Sequence, residues 1–249
     1  MLSKQKIKYL QSLKIKKYRQ EEGVFVVEGE KIALEVLAQI DFPIVYIVAL
    51  QEWIVQHMSI LKKYDNKILP ATEQDLKTIS NFATPNKVVV VLQQAPPQYF
   101  DDIILNNYTL YLDGIQDPGN MGTIMRIADW FSIPYVFCSD TCVDAWNPKV
   151  LQASMGAFLR VKTFEVPFYE LKMRFPTLPS FFTVLWGDNI FEKKLPKQGI
   201  IVIGNEGQGV SKSIIDIGDY PIAIPKAGGA ESLNAAVATG IICAVLKNV

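Results

Sequence analysis

Ile200-Ile201-Val202-Ile203-Gly204-Asn205-Glu206-Gly207-Gln208-Gly209-Val210-Ser211 is an unbroken β-branched run that empties into a loop of glycines and polar residues. Four consecutive apolar residues leave no face for water, which suits a strand covered on both sides in a parallel sheet. The loop then falls at the carboxyl edge of that sheet, where α/β folds gather ligands. Two further islands share this setting. Asp117-Pro118-Gly119-Asn120-Met121-Gly122-Thr123-Ile124-Met125-Arg126 follows an apolar run at 109–112. Ile224-Pro225-Lys226-Ala227-Gly228-Gly229-Ala230-Glu231-Ser232-Leu233-Asn234 follows another at 222–224. Glycine, asparagine and serine let a backbone approach a ligand closely, and Arg126 and Glu206 bring charge into the same loops.

Around these islands the pattern alternates. Strands are expected at 109–112, 135–138, 160–164, 181–186, 200–203 and 222–224, with helices at 122–131, 148–153, 168–175, 211–217 and 233–247. The first part reads as a smaller α/β/α layer, with strands at 24–28, 44–48 and 87–92 and helices at 29–38 and 53–61. Gln93-Gln94-Ala95-Pro96-Pro97-Gln98 breaks the pattern, because paired prolines suit neither helix nor central strand. This gives an N-terminal domain at 1–95, a linker at 96–107 and a second domain at 108–249.

Of the 249 residues about half are apolar, enough for a sizeable core, and the formal net charge is zero. Zero net charge argues against a diffusely basic nucleic-acid binder, but the charge is uneven. Lys4, Lys6, Lys8, Lys14, Lys16, Lys17 and Arg19 all precede the first acid, Glu21. Three scattered cysteines, Cys138, Cys142 and Cys243, suit reduced core thiols and have no zinc-site spacing, so no metal is expected. The start lacks a signal core, and no apolar run reaches the roughly 18 residues that span a bilayer. The expected location is the cytoplasm.

Taken singly, each island has a plain structural explanation. Ser232 caps a helix beginning at Leu233, and Asn234 is an ordinary first-turn residue. The G-x-x-G-x-G order of the middle island is neither the dinucleotide fingerprint nor a phosphate-binding loop, and makes a tight turn with Glu206 exposed. Asn120 belongs to a turn, and Arg126 to a helix surface. These explanations leave out why all three loops fall where a parallel sheet collects its loops. The lone histidine, His57, lies outside the second domain, which excludes a histidine base or a Ser-His-Asp hydrolase there.

The combination N-x-G-x-x-x-R at Asn120 to Arg126, G-N-E-G-x-G at Gly204 to Gly209, and I-P-x-x-G-x-x-x-S-L-N at Ile224 to Asn234 resembles the SPOUT superfamily, in its SpoU/TrmH-type branch of RNA ribose 2′-O-methyltransferases. Ser154-Met155-Gly156-Ala157 fits the same branch, and the likeness covers the whole second domain. The first domain resembles, with less specific motifs, the ribosomal-protein-L30e-like RNA-binding module. The resemblance implies S-adenosylmethionine as cofactor and a parallel-sheet domain closed by a trefoil knot, which general topology rules argue against. It implies that Gly204, Ile224 and Leu233 hold the adenosine end, that Asn205 and Gly209 shape the loop, and that Asn120, Arg126, Glu206, Ser232 and Asn234 are catalytic or face the RNA. Ser132 after Phe131, Lys226 after Pro225, and Ala235-Ala236 depart from the family's common residues.

The expected activity is methyl transfer to RNA, ribosomal RNA rather than transfer RNA. The alternatives are a transfer-RNA enzyme, a non-catalytic RNA-binding protein of the same fold, and, more weakly, an ordinary Rossmann-type nucleotide enzyme. Lys14, Lys16, Lys17 and Arg19, with Tyr9 and Tyr18 interleaved, form either an RNA contact or a solvated amphipathic helix. The nearly all-apolar helix after Asn234 is expected to be buried in a core or a subunit interface, which points to a homodimer.

Overall fold

The computed structural model describes residues 2–38, 42–94 and 98–247. The chain packs as two compact units, Met1–Pro96 together with Trp146–Leu159, and Pro97–Ala145 together with Arg160–Val249. The centre of the expected linker, Ala95-Pro96-Pro97, lies outside the described residues.

In the N-terminal unit the strands are β1 (Val24–Glu28), β2 (Ile44–Leu50), β3 (Ile68–Ala71) and β4 (Val88–Gln93). Their order is β1-β4-β2-β3. The first two pairings are antiparallel, and β2 pairs β3 in parallel. Strand alternation sorts the core into two faces. Val24 and Val26 join Leu10, Leu13, Val48, Leu76 and Val91 in one cluster. Phe25 points the other way, with its ring 5.1 Å from Phe42, 4.5 Å from Trp146 and 5.8 Å from Phe158. Each such aromatic pair adds about 1 kcal/mol beyond the area it buries.

Trp146 and Phe158 belong to a strap that the sequence reading left in the second domain. Asn147 starts its helix, Pro148–Ser154, by accepting from Lys149 N at 2.9 Å. The strap then turns through two left-handed residues, Met155 at φ 51° and Gly156 at φ 90°. The positive φ of Gly156 favours glycine there. Two other differences are local. The helix expected at 53–61 is broken at His57 into Gln51–Gln56 and Met58–Leu61. Strand β3 contains Pro70, and the following Glu73–Ile79 helix is set by a capping box between Thr72 and Asp75.

In the C-terminal unit the strands are β5 (Tyr108–Leu112), β6 (Tyr135–Cys138), β7 (Lys162–Glu165), β8 (Ser180–Asn189), β9 (Gly199–Ile203) and β10 (Tyr220–Ala223). The order is β10-β8-β9-β5-β6-β7, and every pairing is parallel. All residues of β5, β6 and β9 are buried, as their continuous apolar character requires. With β5 and β9 adjacent in the centre, the loops after both open on the same edge. No described helix is long and apolar enough to cross a membrane.

Candidate active site

Three loops from distant parts of the sequence meet at that edge. The first is not a free turn leading to a helix at Gly122. Asp117 is an N-cap whose Oδ1 accepts from Asn120 N at 2.8 Å, and Pro118 occupies the first helical position of Pro118–Trp130. Asn120 therefore stands in the first turn of the helix, fixed in direction.

The middle loop is a tight hairpin in which Asn205 and Gly209 bond each other, N–H to carbonyl, in both directions. A Cβ on Gly204 would lie 2.3 Å from Gly209 C and from Val210 N, so the hairpin closes only over a glycine. Asn205 ties it down. Its Nδ2 donates to Gly114 O at 2.7 Å, and its Oδ1 accepts from Gly207 N and Gln208 N at 2.8 and 3.1 Å.

In the third loop the helix starts at Ala235, two residues later than expected, and the cap is Asn234 rather than Ser232. Asn234 Oδ1 accepts from Ala236 N at 3.0 Å and Val237 N at 3.2 Å. Asparagine caps a helix as well as serine does, so residue type alone did not separate the two. Ser232 is exposed.

Side chains then join the loops. Asn234 Nδ2 donates to Asn120 Oδ1 at 2.9 Å, and Asn120 Nδ2 donates to Glu206 Oε1 at 2.5 Å. Three of the expected catalytic residues thus form one chain that runs from a helix N-terminus to a half-buried carboxylate. Arg126 lies on the same helix as Asn120 and is exposed. Among the described residues no ion pair joins it to Glu206 or to any other acid.

Glu206 also lines a cleft of about 730 Å³. Its apolar wall includes Leu185, Ile203, Ile224, Leu233, Ala238 and Ile242, and its rim includes Gly204, Asn205, Gly209 and Ser232. A volume of this order, mostly apolar with a few fixed polar groups, is that of a small-molecule site. It fits S-adenosylmethionine: apolar walls for the adenine ring, and hairpin backbone for the polar edges. The cleft gathers all five expected cofactor residues, whereas Asn120, Arg126 and Asn234 do not line it. The wall from Leu185 and Trp186, in the second half of β8, has no counterpart in the sequence analysis. An exposed apolar stretch of strand carries no local signal of what it faces.

The basic N-terminal stretch divides. Lys16 is exposed, Lys17 is exposed beside Glu21 at 3.8 Å, and Lys14 Nζ donates to Thr78 O and Ser80 O at 3.2 and 2.6 Å. Arg19 is not a surface cation. It is 2% exposed, and its Nη1 donates to Leu13 O and Lys14 O, both at 3.0 Å. Helical spacing places Arg19 among lysines, but it is the buried residue of the short helix Lys16–Glu22.

Residues 107–244 match the model of the SpoU rRNA Methylase family. The chain belongs to the SpoU rRNA methylase family. Residues 4–90 match an MRM3-like substrate binding domain. Among similar SpoU proteins, a Bacillus subtilis relative named 23S rRNA (guanosine(2553)-2′-O)-methyltransferase RlmP is 26% identical over 251 residues, covering 96% of this chain and 94% of that one. The structure of a TrmH-family protein from Porphyromonas gingivalis is 34% identical with a TM-score of 0.86, covering 100% of this chain and 99% of that one. An AdoMet-bound rRNA methyltransferase from Sinorhizobium meliloti is 25% identical with the same TM-score, 0.86, covering 100% and 96%. The likeness to SpoU proteins thus extends over both units.

Proposed function

We propose that this chain transfers a methyl group from S-adenosylmethionine to a ribose 2′-hydroxyl of ribosomal RNA. The observation that carries the reading is the Asn234–Asn120–Glu206 chain, which ends at the cofactor-sized cleft, with Arg126, unpaired among the described residues, on the helix that bears Asn120. Family membership and the activities for which RlmP and the AdoMet-bound Sinorhizobium protein are named support it.

Bound in the cleft, S-adenosylmethionine supplies an electrophilic methyl on a positively charged sulfur. The chain's own task is the nucleophile, since a ribose hydroxyl is barely ionised at neutral pH. Arg126 stays protonated in a protein. It grips a phosphate beside the target ribose and stabilises the oxyanion that develops on the 2′-oxygen. Glu206 has Oε1 engaged by Asn120 and keeps Oε2 to accept the hydroxyl proton. Asn120 and Asn234 are positioning residues that hold this carboxylate, and Ser232 orients the ribose. Gly204, Ile224 and Leu233 seat the adenosine end, with Asn205 and Gly209 fixing the hairpin.

Residues 1–95 act as the substrate-binding domain and 108–249 as the catalytic domain, joined by 96–107. Lys14, Lys16 and Lys17 contact the RNA backbone, so binding weakens as salt rises. Arg19, buried and bonded to backbone, is left out of that contact. The C-terminal unit is closed by a trefoil knot, and two copies pair in the cytoplasm through the Ala235–Lys247 helix, whose Val237 is 52% exposed.

The test is Arg126→Ala. Calorimetry should give wild-type affinity for S-adenosylmethionine, while methyl incorporation into RNA falls by about 10²–10³-fold. Near-normal turnover removes Arg126 from the chemistry. No heat with the donor ends the proposal altogether.

A further inference from the structure

Strand β8 leaves the sheet before it ends. Phe182 pairs with Pro221 and Val202, but the next pairing with β10 is Asp188 to Ile222. Residues 183–187 therefore bow out between their neighbours, a device common beside functional clefts. The bow brings Leu185, 77% exposed, and Trp186, 66% exposed, to the cleft that Glu206 lines. Among the described residues Trp186 has one ring neighbour, Phe182, edge-on at 6.2 Å.

The segment that joins β10 to Asn234 lines the same cleft and is held only at its ends. Residues 225–234 are all exposed and have no regular structure. Among the described residues no hydrogen bond or ion pair involves 225–233. At one end Ala223 O accepts from Ile190 N at 3.0 Å. At the other, Asn234 caps the last helix and donates to Asn120. Between them, Gly228 and Gly229 have no atom beyond their chain neighbours within 4 Å of where a Cβ would stand. A backbone with no bonds to lose and two glycines to turn on moves at little cost. Leu233, on this segment, is 46% exposed. Three large apolar side chains thus stand in water around one cleft, which is the mark of a surface that something covers.

Resting on the methyltransferase reading above, we propose that residues 225–233 form a lid that closes onto Leu185 and Trp186 once S-adenosylmethionine is seated. The open cleft offers the lid little to pack on. The adenosine end of the donor supplies that surface, and Leu233 moves from water onto it and the Trp186 indole, removing the exposed apolar area of both. The bow in β8 is the fixed jaw. Gly187 returns the strand so close to Ile222 that a Cβ would lie 2.6 Å from its carbonyl carbon. Closure keeps water from the sulfonium. It also carries Ser232, so the ribose site is complete only after the donor has bound.

The test is hydrogen exchange read by mass spectrometry on the full chain, with and without saturating S-adenosylmethionine, beside calorimetry on the same samples. In the free protein the amides of 226–233 should exchange as fast as those of an unstructured chain. With donor they should slow by about tenfold or more. Trp186→Ala should exchange like wild type when free, lose most of that slowing when saturated, and bind the donor about tenfold more weakly. Acrylamide quenching gives a measure that needs no destabilising change: donor should shield Trp186, with Trp186→Phe identifying its share of the emission. Donor heat without slowed amides, slowing that survives in Trp186→Ala, or a Trp186 that stays open to acrylamide overturns the lid. No heat with the donor overturns the methyltransferase reading, and the lid with it.

Discussion

Two glutamates, one in each unit, show how the same side chain becomes structure or chemistry. Glu28, at the end of β1, is 3% exposed. Its Oε1 accepts from Asn81 N and Asn81 Nδ2, both at 2.8 Å, and its Oε2 from Ser80 Oγ at 2.7 Å. Both oxygens are occupied, and the loop after Ile79 is held in place by them. Glu206 also has an asparagine partner, but among the described residues only one of its oxygens is engaged, and it lines a cleft. A saturated carboxylate fixes a fold, whereas one held from one side only can still accept a proton.

The largest effect that tests this contrast is expected from Glu206→Gln. Methyl transfer should fall by about 10²–10⁴-fold, the usual worth of a positioned acid–base group. The urea unfolding midpoint should not move. If turnover persists, Glu206 is a positioning group like Glu28. Glu28→Gln should do the reverse, costing about 2 kcal/mol because a buried amide cannot accept from every donor the carboxylate satisfied. Urea denaturation reads that loss, and methyl transfer per folded molecule should be unchanged. Lost turnover in the folded fraction would mean that Glu28 reaches the chemistry.

The smallest effect carries the contrast to sulfur. The neighbouring Cys138 thiol, then Ser139 and the N–H groups of Ile115 and Gly114, hold the Cys142 thiol down to about 7 against the opposing effect of burial. Burial pushes the Cys243 thiol up to about 12, only partly opposed by Lys247. A lowered pKa means that the thiolate forms as pH rises through about 7. Alkylation followed by mass spectrometry should therefore label Cys142 with a rate that climbs between pH 6 and about 8, and leave Cys243 unlabelled in the folded protein. Labelling of Cys243 first would show that donors do not govern these thiols.

The sheet was legible because its signal is local. Ile200 to Ile203 and Tyr135 to Cys138 are apolar without a break, and the strands lie there. The loops that line the first cleft were legible, since glycine at 204 and 209 answers backbone needs that residue type reveals. What was not legible is long-range. The Asn120–Glu206 bond spans 86 residues and the Asn234–Asn120 bond spans 114, and no spacing rule connects such positions. Arg19 fails for the same reason, because its burial depends on how a helix of seven residues is turned by its neighbours. Strand β3 hid behind Pro70, a residue that argues against strands except where a pairing can spare its missing N–H.

The strap has a consequence for how the protein is made. The N-terminal unit is not finished when its own 96 residues have been synthesised, because Trp146 and Phe158, which cover Phe25, have yet to be translated. Domains usually fold in order as they leave the ribosome. Here the first must wait, with an aromatic face open, until residue 159 is clear of the exit tunnel, by which time β5 and β6 are already outside.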